Sequence, residues 1–371
     1  MKKNKIDKVF LGIVIALVVI GLIIFTSASL GIYAKNETKF WGVIFSQFVL
    51  GFLGGLVVLF IGLKIPYKLL KKYSVILFIL SIILTALVLV PGIGQTHGGA
   101  RRWIDILGYS FQPVEFLKIG FIIYFAAWLS WAKGKLKDPL FSMLPLVILL
   151  GIITIVLVKQ PDIKSIILIT TTALVMLFVS GTPLKYILGF LGLAIIALMI
   201  LVSFKPYLKE RINTFINPNE NGQSSSWQSQ QALIAIGSGG ILGRGLGQSI
   251  QKFNYLPEPQ GDSIFAVVGE ELGFLGCFFI IFLYVIFALR GYRIALRNAP
   301  EAFGKLLVIG FITIITAQSF LNIASIIGVF PLTGVPLVFI SHGGTALLLS
   351  LGMVGIILNI SRYQGKPILE R

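Results

Sequence analysis

The run VFLGIVIALVVIGLIIFTSASLGI, residues 9 to 32, carries no charged side chain. At about 1.5 Å per residue in an α-helix, a run of this length covers the roughly 30 Å of hydrocarbon in a bilayer. It follows Lys2, Lys3, Lys5 and Lys8, as in a signal peptide, but it exceeds the usual 7 to 15 or so apolar residues and lacks a small-residue cleavage site. We interpret it as a retained transmembrane span.

Further apolar runs of similar length follow along the chain of 371 residues. Hydrophobic residues make up 56% of the sequence and charged residues only 12%, about half the roughly 25% of a soluble domain, which excludes a soluble fold. Barrel strands would alternate over about 10 residues instead of running apolar for about 20. We therefore predict an all-α integral membrane protein, a single polytopic domain over residues 1–371 that forms a bundle of about ten transmembrane helices. The predicted spans are 9–32, 41–63, 73–91, 113–132, 140–158, 163–180, 184–203, 263–289, 305–329 and 336–361.

Basic residues are concentrated on one side of this topology. The formal net charge is +17, from 31 Lys and Arg against 14 Asp and Glu. With alternate loops assigned to the two sides, 19 basic residues fall on one side, which the positive-inside rule makes cytoplasmic together with both termini. The other side receives two long extracytoplasmic segments, about 92–112 and 204–262, the second between spans seven and eight. No basic tail or aromatic-basic motif indicates nucleic acid, and the single Cys277 can form no internal disulfide.

Acidic residues cluster where the second of these segments meets the eighth span. Asp262 lies at the membrane entry, shortly after Glu258, and the span continues through Glu270 and Glu271. Acids inside a span cost about 2.5 to 3.5 kcal/mol each, so they should face the bundle interior or a wet cavity. In a helix that begins at Asp262, Glu270 lies roughly 80° away from Asp262 about the helix axis. Of the two glutamates, only Glu270 therefore approaches the helix face of Asp262. Asp262 is either a helix N-cap or a general base beside a partly desolvated cavity.

The first extracytoplasmic segment contains a second group of charges. It includes Arg101 and Arg102, and Pro113 opens the fourth span ahead of Glu115 and Lys118, which lie three residues apart on one helix face. One interpretation is an internal ion pair between the acid and the lysine, with arginines at the membrane interface. The other is an anion site in which two guanidiniums and an ammonium bind phosphate oxygens.

Two further polar stretches also have alternative interpretations. The link that contains Lys159 and Asp162 is either an ordinary turn with solvated charges or another wall of the same polar cavity. The stretch GSGGILGRGLG at 237–247, which includes Arg244, matches neither the Walker nor the G-x-G-x-x-G spacing and lies on the side without ATP, so we reject a nucleotide site. Its glycines either permit tight turns or let backbone amides approach a sugar or phosphate.

Prolines and glycines between residues 331 and 344 oppose an uninterrupted helix at the start of the tenth span. Adjacent Ser341 and His342 would diverge on a helix, so we reject a Ser-His-Asp hydrolase built with Asp262. The other histidine, His97, is distant in sequence, and no H-E-x-x-H motif or Cys cluster indicates zinc.

Seven motifs, in order over nearly the whole chain, resemble those of the SEDS family, which contains FtsW, RodA and SpoVE. Each motif is weak alone, and the ordered set is specific. The motifs are GARRWI at 99–104, QPVE at 112–115, QPD at 160–162, AIGSGG at 235–240, LPEP at 256–259, EELG at 270–273 and S-x-G-G at 341–344. The segment GRGLGQSIQKFNY at 243–255 is most similar to the cell-division branch, FtsW.

This resemblance implies a ten-span peptidoglycan glycosyltransferase of the bacterial cytoplasmic membrane, acting at the division site. Its substrates would be lipid II, an undecaprenyl-pyrophosphate-linked disaccharide-pentapeptide, and lipid-linked glycan; its partners would be a class B penicillin-binding protein and other divisome membrane proteins. The family's essential aspartate corresponds to Asp262, and its Gln-Pro-Ser-Glu-x-x-Lys motif corresponds to Glu115 and Lys118. The candidate substrate-binding residues are Arg101, Arg102, Glu115, Lys118, Lys159, Asp162, Arg244 and Glu258, and the supporting residues are Glu270, Ser341 and His342.

The chain departs from the family pattern at several positions. Gly261 and Ser263 flank the aspartate where Thr and Phe are common, and Lys164 lies where Gly is usual. His342 and Thr345 replace Tyr and Ser. These changes affect local geometry and metal binding, whereas the fold and the aspartate are retained.

The absence of a nucleotide motif means that the energy for polymerising sugars must arrive within the substrate, as a lipid-linked pyrophosphate sugar. We expect Asp262 to accept the proton of an acceptor sugar hydroxyl as that hydroxyl attacks the donor's anomeric carbon, inverts it and releases lipid pyrophosphate. We expect Arg101, Arg102 and Lys118, with a divalent cation such as Mg²⁺ or Mn²⁺, to compensate the charge of the leaving group.

Other functions fit the same residues. A lipid II flippase would also need many spans, a polar cavity and broken helices. A scaffold would only recruit and activate a partner transpeptidase. Within the family, the elongation and sporulation branches, RodA and SpoVE, are the alternatives to division.

Overall fold

The computed structural model describes residues 6–34, 36–97, 100–106, 109–216, 224–297, 299 and 301–363. Within these ranges, nine helices are long and apolar enough to cross a membrane, and a shorter apolar helix, Ser74–Leu87, takes the place of the third predicted span. These ten helices correspond in order to the ten predicted runs. The prediction of a helical membrane bundle is therefore confirmed.

Some helices of the chain lie between the spans. The helices are, in order, α1 (Lys8–Tyr33), α2 (Glu37–Lys64, with a π-helical stretch at Ser46–Leu53), α3 (Tyr67–Lys72), α4 (Ser74–Leu87), α5 (Pro113–Trp131), α6 (Pro139–Lys159), α7 (Ile163–Ser180), α8 (Leu184–Phe204), α9 (Pro206–Ile216), α10 (Ser224–Ser238), α11 (Gln251–Asn254), α12 (Ile264–Arg297, broken at Gly273), α13 (Ala302–Ile326) and α14 (Gly344–Ser361). Segment 204–262 thus contains α9, α10 and α11.

Helix starts follow the local chemistry of the sequence. The Asp7 side chain caps α1 by accepting from the backbone N–H of Phe10 at 2.9 Å, and it also pairs with Arg290 of α12 at 2.9 Å. Pro113 occupies the first turn of α5, as predicted, because a proline there removes only an N–H that has no partner within the helix. The Asp7 pair also ties the first span to the eighth.

Segment 92–112 forms a small antiparallel sheet of three strands, β1 (Gly94–His97), β2 (Ala100–Ile106) and β3 (Tyr109–Phe111), in that order. Gly94 pairs with Ile104, and Ile104 pairs in turn with Phe111. We call the end of the bundle that carries this sheet together with α9, α10 and α11 the sheet end. Gly98 and Gly99 of the first motif lie outside the described residues.

The chain between α13 and α14, residues 327–343, is not helical. The predicted break in the tenth span is confirmed, but the predicted start at 336 is wrong, because the helix begins only at Gly344. Residues Val335 to Ile340 of this segment are nevertheless largely buried. An irregular backbone at membrane depth is tolerated where it is enclosed by protein or lines a cavity. We call residues 327–343 the broken segment.

Span α14 packs closely against α2 through small residues. A Cβ on Gly355 would collide with the backbone carbonyl oxygen of Leu59, and one on Gly62 would lie 3.0 Å from the carbonyl oxygen of Gly352. Small residues at such contacts let helix backbones approach in a membrane, where the hydrophobic effect does not drive helices together. The α2–α14 contact therefore depends on glycine.

We predict that Gly355→Ala lowers the thermal stability of the purified protein in detergent, by about 1 to 3 kcal/mol, because the obstructing atom belongs to the backbone and cannot rotate away. Gly151→Ala in α6 is the matched control, since a Cβ there meets nothing within 4 Å. Equal melting temperatures for the two variants would contradict this packing.

Candidate functional site

Asp262 lies at the sheet end, two residues before α12, with its side chain partly buried. The amide nitrogen of Gln228 on α10 donates to Asp262 Oδ1 at 3.2 Å and to the Ser263 hydroxyl at 2.9 Å. Asn322 of α13 donates to the Asp262 carbonyl at 2.7 Å and to the Val335 carbonyl at 2.7 Å. Contacts from α10 and α13 therefore fix both the backbone and the side chain of this residue.

Opposing influences set the pKa of Asp262, and burial is the largest of them. Burial raises the pKa above the ordinary value, the positive charge of Lys164 lowers it, and the negative charge of Glu258 raises it. The balance is a raised pKa, so the carboxylate becomes protonated at a higher pH than an exposed aspartate does. A carboxyl poised in this way is suited to accept a proton.

A cavity of about 120 Å³ opens next to Lys164, and Asp262 itself is not among its lining residues. Among the described residues, its polar lining contains three cations, Arg102, Lys164 and Arg211, together with Tyr207 and Thr333, and no carboxylate. The remaining walls are mostly apolar and come from Pro161, Ile163, Ile167, Leu198, Val202, Leu208, Ile212, Phe330, Pro331 and Leu332. The cavity thus combines a cationic part with an apolar part.

Gly334 of the broken segment follows Thr333 of the cavity lining and lies close to Asp262. A Cβ at Gly334 would lie 3.4 Å from Asp262 Oδ2 and 3.8 Å from Lys164 Nζ, and the Gly334 carbonyl accepts a hydrogen bond from Lys164. Its φ of 64° is in the left-handed region, which glycine adopts readily. The carboxylate and the ammonium therefore approach the same glycine.

The two arginines of the first motif point in different directions. Arg102 lines the cavity and donates to the backbone carbonyls of Gln160 and Pro161, whereas exposed Arg101 donates to the Thr96 hydroxyl at 3.3 Å. Successive side chains of a strand alternate between its faces, which explains the divergence along β2. Of this pair, the structure brings only Arg102 to the cavity.

The predicted pair of Glu115 and Lys118 is present as an ion pair of 2.8 Å, with both side chains buried. The lysine also donates to Gln318 Oε1 of α13 at 2.7 Å, and Gln318 donates to the Pro336 carbonyl at 3.3 Å. Neither charged residue lines the cavity. The pair connects α5 to the broken segment, and its carboxylate already compensates the ammonium.

The link between α6 and α7 contains an exposed and a buried charge. Lys159 is exposed, whereas Asp162 is fully buried and accepts from Ser165 at 2.8 Å. Its Oδ1 has no hydrogen-bond partner among the described residues. Asp162 lies close enough to influence Lys164. Lys159 is not among the residues that line the cavity.

The acids of the eighth span bind the chain that follows α10. Glu270 accepts from the Ser249 hydroxyl at 2.5 Å and from the Ile250 N–H at 3.0 Å, and its Oε1 lies 3.7 Å from exposed Arg244. These contacts satisfy the buried carboxylate of Glu270, and Asp262 is not among its partners in the described chain. Exposed Glu258, by contrast, accepts from the Gln260 side chain at 2.9 Å.

Glu271 forms the second of these contacts. It pairs with Lys252 at 2.6 Å and accepts from Ser27 of α1 at 2.8 Å. Lys252 is completely buried and also donates to the Gly247 carbonyl at 2.8 Å. This pair therefore joins α1, α12 and the glycine-rich stretch, whose glycines serve tight turns in the structure.

Ser341 and His342 are held by the backbone of their surroundings. The Ser341 hydroxyl accepts from the Leu337 N–H at 2.8 Å, and the His342 N–H donates to the Gln260 carbonyl at 2.7 Å. The imidazole stacks on Phe25 of α1, with ring centroids 5.8 Å apart. These contacts fix the end of the broken segment against the chain that leads to Asp262.

Sequence reasoning did not identify Arg211, Gln228 and Asn322 as site residues. It included Lys164 in the link that is either an ordinary turn or a wall of the polar cavity, and it noted this lysine as a departure from the family pattern without naming it as a site residue. Arg211 lies on α9 and lines the cavity, while Gln228 and Asn322 hold Asp262. Gln228 belongs to a polar cluster, WQSQQ at 227–231, that is visible in the sequence. The sequence does not show which way the side chains of this cluster point. An asparagine within an apolar span is a further indication, since polar groups there need partners.

The residues near Asp262 can be tested for their fit to a divalent cation. No group of three or more His, Cys, Asp or Glu side chains lies together in the described part of the chain. Mg²⁺, however, commonly binds one or two carboxylates together with substrate phosphates and waters. Exposed Glu258, close enough to Asp262 to influence it, provides one such carboxylate, which fits a cation shared with a phosphate group.

The described features define a class: a polytopic helical membrane protein with an acid beside a cationic cavity at one end of its bundle. The family model described as "Cell cycle protein", which covers FtsW, RodA and SpoVE, matches residues 7–366. The chain belongs to this family.

Individual relatives are similar over nearly their whole length. The chain is 39% identical to the probable peptidoglycan glycosyltransferase FtsW of Trichlorobacter lovleyi, covering 96% of this chain and 93% of that protein. It is 37% identical to the stage V sporulation protein E of Bacillus subtilis, covering 98% of each.

Solved structures show the same fold. A chain of a peptidoglycan synthase complex that coordinates polymerization and crosslinking aligns with a TM-score of 0.79 and 26% identity, over 96% of this chain and 98% of that one. The rod shape determining protein RodA of Thermus thermophilus aligns with a TM-score of 0.71 and 25% identity, over 97% and 98% of the two chains.

We predict that Glu271→Gln strongly destabilises the protein, by about 3 to 5 kcal/mol, because it leaves the fully buried Lys252 ammonium without its carboxylate. Thermal unfolding of the purified protein in detergent measures this loss. Glu301→Gln is the matched control, because its partner Lys68, at 2.7 Å, is exposed and an exposed pair contributes little. A similar melting temperature for both variants would contradict the structural role of the buried pair.

Proposed function

We propose that this chain is a peptidoglycan glycosyltransferase that polymerises lipid II into glycan strands, with Asp262 as the general base. The observation that carries the proposal is the position of this carboxylate. It lies close to Gly334, as does the ammonium of Lys164, and Lys164 lines a cationic and apolar cavity. The family membership and the names of the relatives support the same activity.

The reaction moves charge in two places. The carboxylate accepts the proton of the acceptor's sugar hydroxyl while the oxygen bonds to the donor's anomeric carbon. The bond between that carbon and the lipid diphosphate breaks, so the anomeric carbon is inverted and the diphosphate leaves with the electron pair. One site therefore needs a base, and the other needs positive charge to stabilise the developing anion.

The residues of the site are suited to these two tasks. Gln228 and Asn322 hold Asp262 in place, so the base is positioned before the substrate arrives. A divalent cation, Mg²⁺ or Mn²⁺, held by Glu258 together with phosphate oxygens, would supply further charge neutralisation and leave Asp262 free to act as the base. The energy of the reaction comes from the lipid-diphosphate bond, so no nucleotide is required.

The cellular setting is also part of the proposal. The positive-inside rule makes the sheet end extracytoplasmic and both termini cytoplasmic, which places the site on the outer face of the cytoplasmic membrane. We propose a class B penicillin-binding protein as the partner, since a related solved chain belongs to a complex that couples polymerization to crosslinking. We further propose action at the division site with other divisome proteins; localisation of a fluorescent fusion tests division against elongation and sporulation.

We predict that Asp262→Asn lowers polymer formation from labelled lipid II by about 10²-fold to 10⁴-fold, because the amide cannot accept the proton. The measurement is the polymer length and yield of the purified protein, with and without the partner transpeptidase. Glu210→Gln on α9 is the control, since it removes an exposed acid at the same end of the bundle.

Normal polymer from Asp262→Asn would remove this residue from the mechanism. Lipid II that crosses the bilayer chemically unchanged, with no polymer from the unaltered protein, would favour a flippase instead. Full support of wall synthesis by Asp262→Asn in cells would favour a scaffold that only activates its partner.

We predict that the charge of Lys164 shifts the acidic limb of the pH profile. The base works above its pKa and is lost as the pH falls through that value. Lys164→Gln removes a charge that lowers the pKa of Asp262, so the acidic limb of kcat/KM should move to higher pH, whereas Lys164→Arg keeps the charge and should leave the limb in place. The rates are compared at fixed, saturating divalent cation, and an unmoved limb in Lys164→Gln would contradict this assignment.

A further inference from the structure

Three cations converge on the cavity, and the described residues place no carboxylate in its lining. Burial lowers the pKa of the Arg211 guanidinium, and the positive charge of Arg102 lowers it further. Among the described residues, neither these two arginines nor Lys164 forms an ion pair within 4.0 Å. Partly buried charges of one sign repel each other more strongly than they would in water. An anion placed among them would relieve this repulsion.

Within the described ranges, the hydrogen-bond partners of these cations are neutral, and the two carboxylates that act on Lys164, Asp162 and Asp262, form no ion pair with it within 4.0 Å. Arg102 donates to the carbonyls of Gln160 and Pro161, Lys164 donates to the Gly334 carbonyl, and Arg211 approaches the Thr333 carbonyl at 3.4 Å. These carbonyls orient the three side chains without neutralising them. Lys164 has three donor hydrogens, and the protein hydrogen bond found for it in the described chain uses one of them.

The two parts of the cavity lining match the two parts of one ligand. Phosphate oxygens suit the guanidiniums and the ammonium. The apolar wall formed by Ile167 of α7 and by Leu198 and Val202 of α8 suits a hydrocarbon chain. Along α8 most residues are exposed on the bundle, so a chain held at this wall is next to lipid.

We infer that Arg102, Lys164 and Arg211 bind the diphosphate of the lipid-linked substrate, and that Lys164 is the substrate-binding residue next to the base. The inference rests on the proposed function and names the place of the leaving group within it. Lys164 Nζ lies 3.8 Å from the position that a Cβ on Gly334 would take, and Asp262 Oδ2 lies 3.4 Å from the same position. Because it approaches the same glycine as Asp262, it sets the diphosphate beside the base.

Direct binding tests this inference without turnover. The full-length protein carrying Asp262→Asn, in lipid nanodiscs, is titrated with undecaprenyl diphosphate, and a second variant adds Lys164→Gln. We expect the second change to weaken binding about tenfold or more, because it removes a charge-assisted contact to phosphate. Lys164→Arg should retain most of the affinity. The control Lys209→Gln, an exposed lysine of α9, should bind like the parent.

Two further ligands separate the parts of the site. Undecaprenol, which lacks phosphate, should bind weakly and equally to all variants. Inorganic diphosphate should depend on Lys164 but bind more weakly than the lipid form, because it cannot use the apolar wall. Equal affinity of the inorganic and lipid forms would show that the cavity binds free diphosphate and would overturn the assignment of the apolar wall.

The outcomes distinguish this inference from the proposed function. Unchanged binding of undecaprenyl diphosphate by both Lys164→Gln and Lys164→Gly would overturn the role of Lys164, even if the protein polymerises lipid II. Lysine-dependent binding without polymer from the unaltered protein would instead overturn the proposed function and keep the site. In the active protein, Lys164→Gln should raise KM for lipid II, and Lys164→Arg should restore it, which loss of folding would not produce.

Discussion

The cost of placing ionised groups inside an apolar bundle governs the arrangement of this molecule. A buried charge is stable only when a partner charge and hydrogen bonds replace the water that it has lost. Lys252 meets this condition with Glu271, and Lys118 meets it with Glu115. Hydrogen bonds extend each pair to a segment far away in the sequence, from Glu271 to Ser27 of α1 and from Lys118 to Gln318 of α13. The compensated charges therefore hold the membrane fold together at the sheet end, and these acids and lysines are accounted for by structure.

A second group of charges is not compensated in this way. Arg102, Lys164 and Arg211 are held by backbone carbonyls, and Asp262 is held by Gln228. Two of these carbonyls, those of Thr333 and Gly334, belong to the broken segment. A continuous helix would have used its carbonyls for its own hydrogen bonds. The irregular backbone there thus serves both to orient the cations and to bring Gly334 against the carboxylate.

The two groups of charges separate structural from chemical roles. Protonating a carboxylate while negative charge develops on a diphosphate requires a base and cations close together but not paired with each other. If Asp262 formed a tight ion pair, its ability to accept a proton would fall, because the pair stabilises the ionised form. Here the carboxylate and the ammonium both lie close to Gly334 and influence each other, but these two residues, both within the described ranges, form no ion pair within 4.0 Å.

The sequence alone determined the bundle, because runs of about 20 apolar residues can satisfy their backbone in a bilayer only as helices. It also predicted the break in the tenth span, offered an ion pair between Glu115 and Lys118 as one of two interpretations, and placed Asp262 at the membrane boundary, since prolines, an i,i+3 spacing and a charge at the end of an apolar run are local signals. It did not distinguish Arg101 from Arg102 or join Arg211 to Lys164. Those outcomes depend on which face of a strand meets the bundle and on contacts between residues distant in sequence. Such contacts are fixed only when the whole chain packs, and tertiary structure therefore decided which charges are compensated and which remain for a ligand.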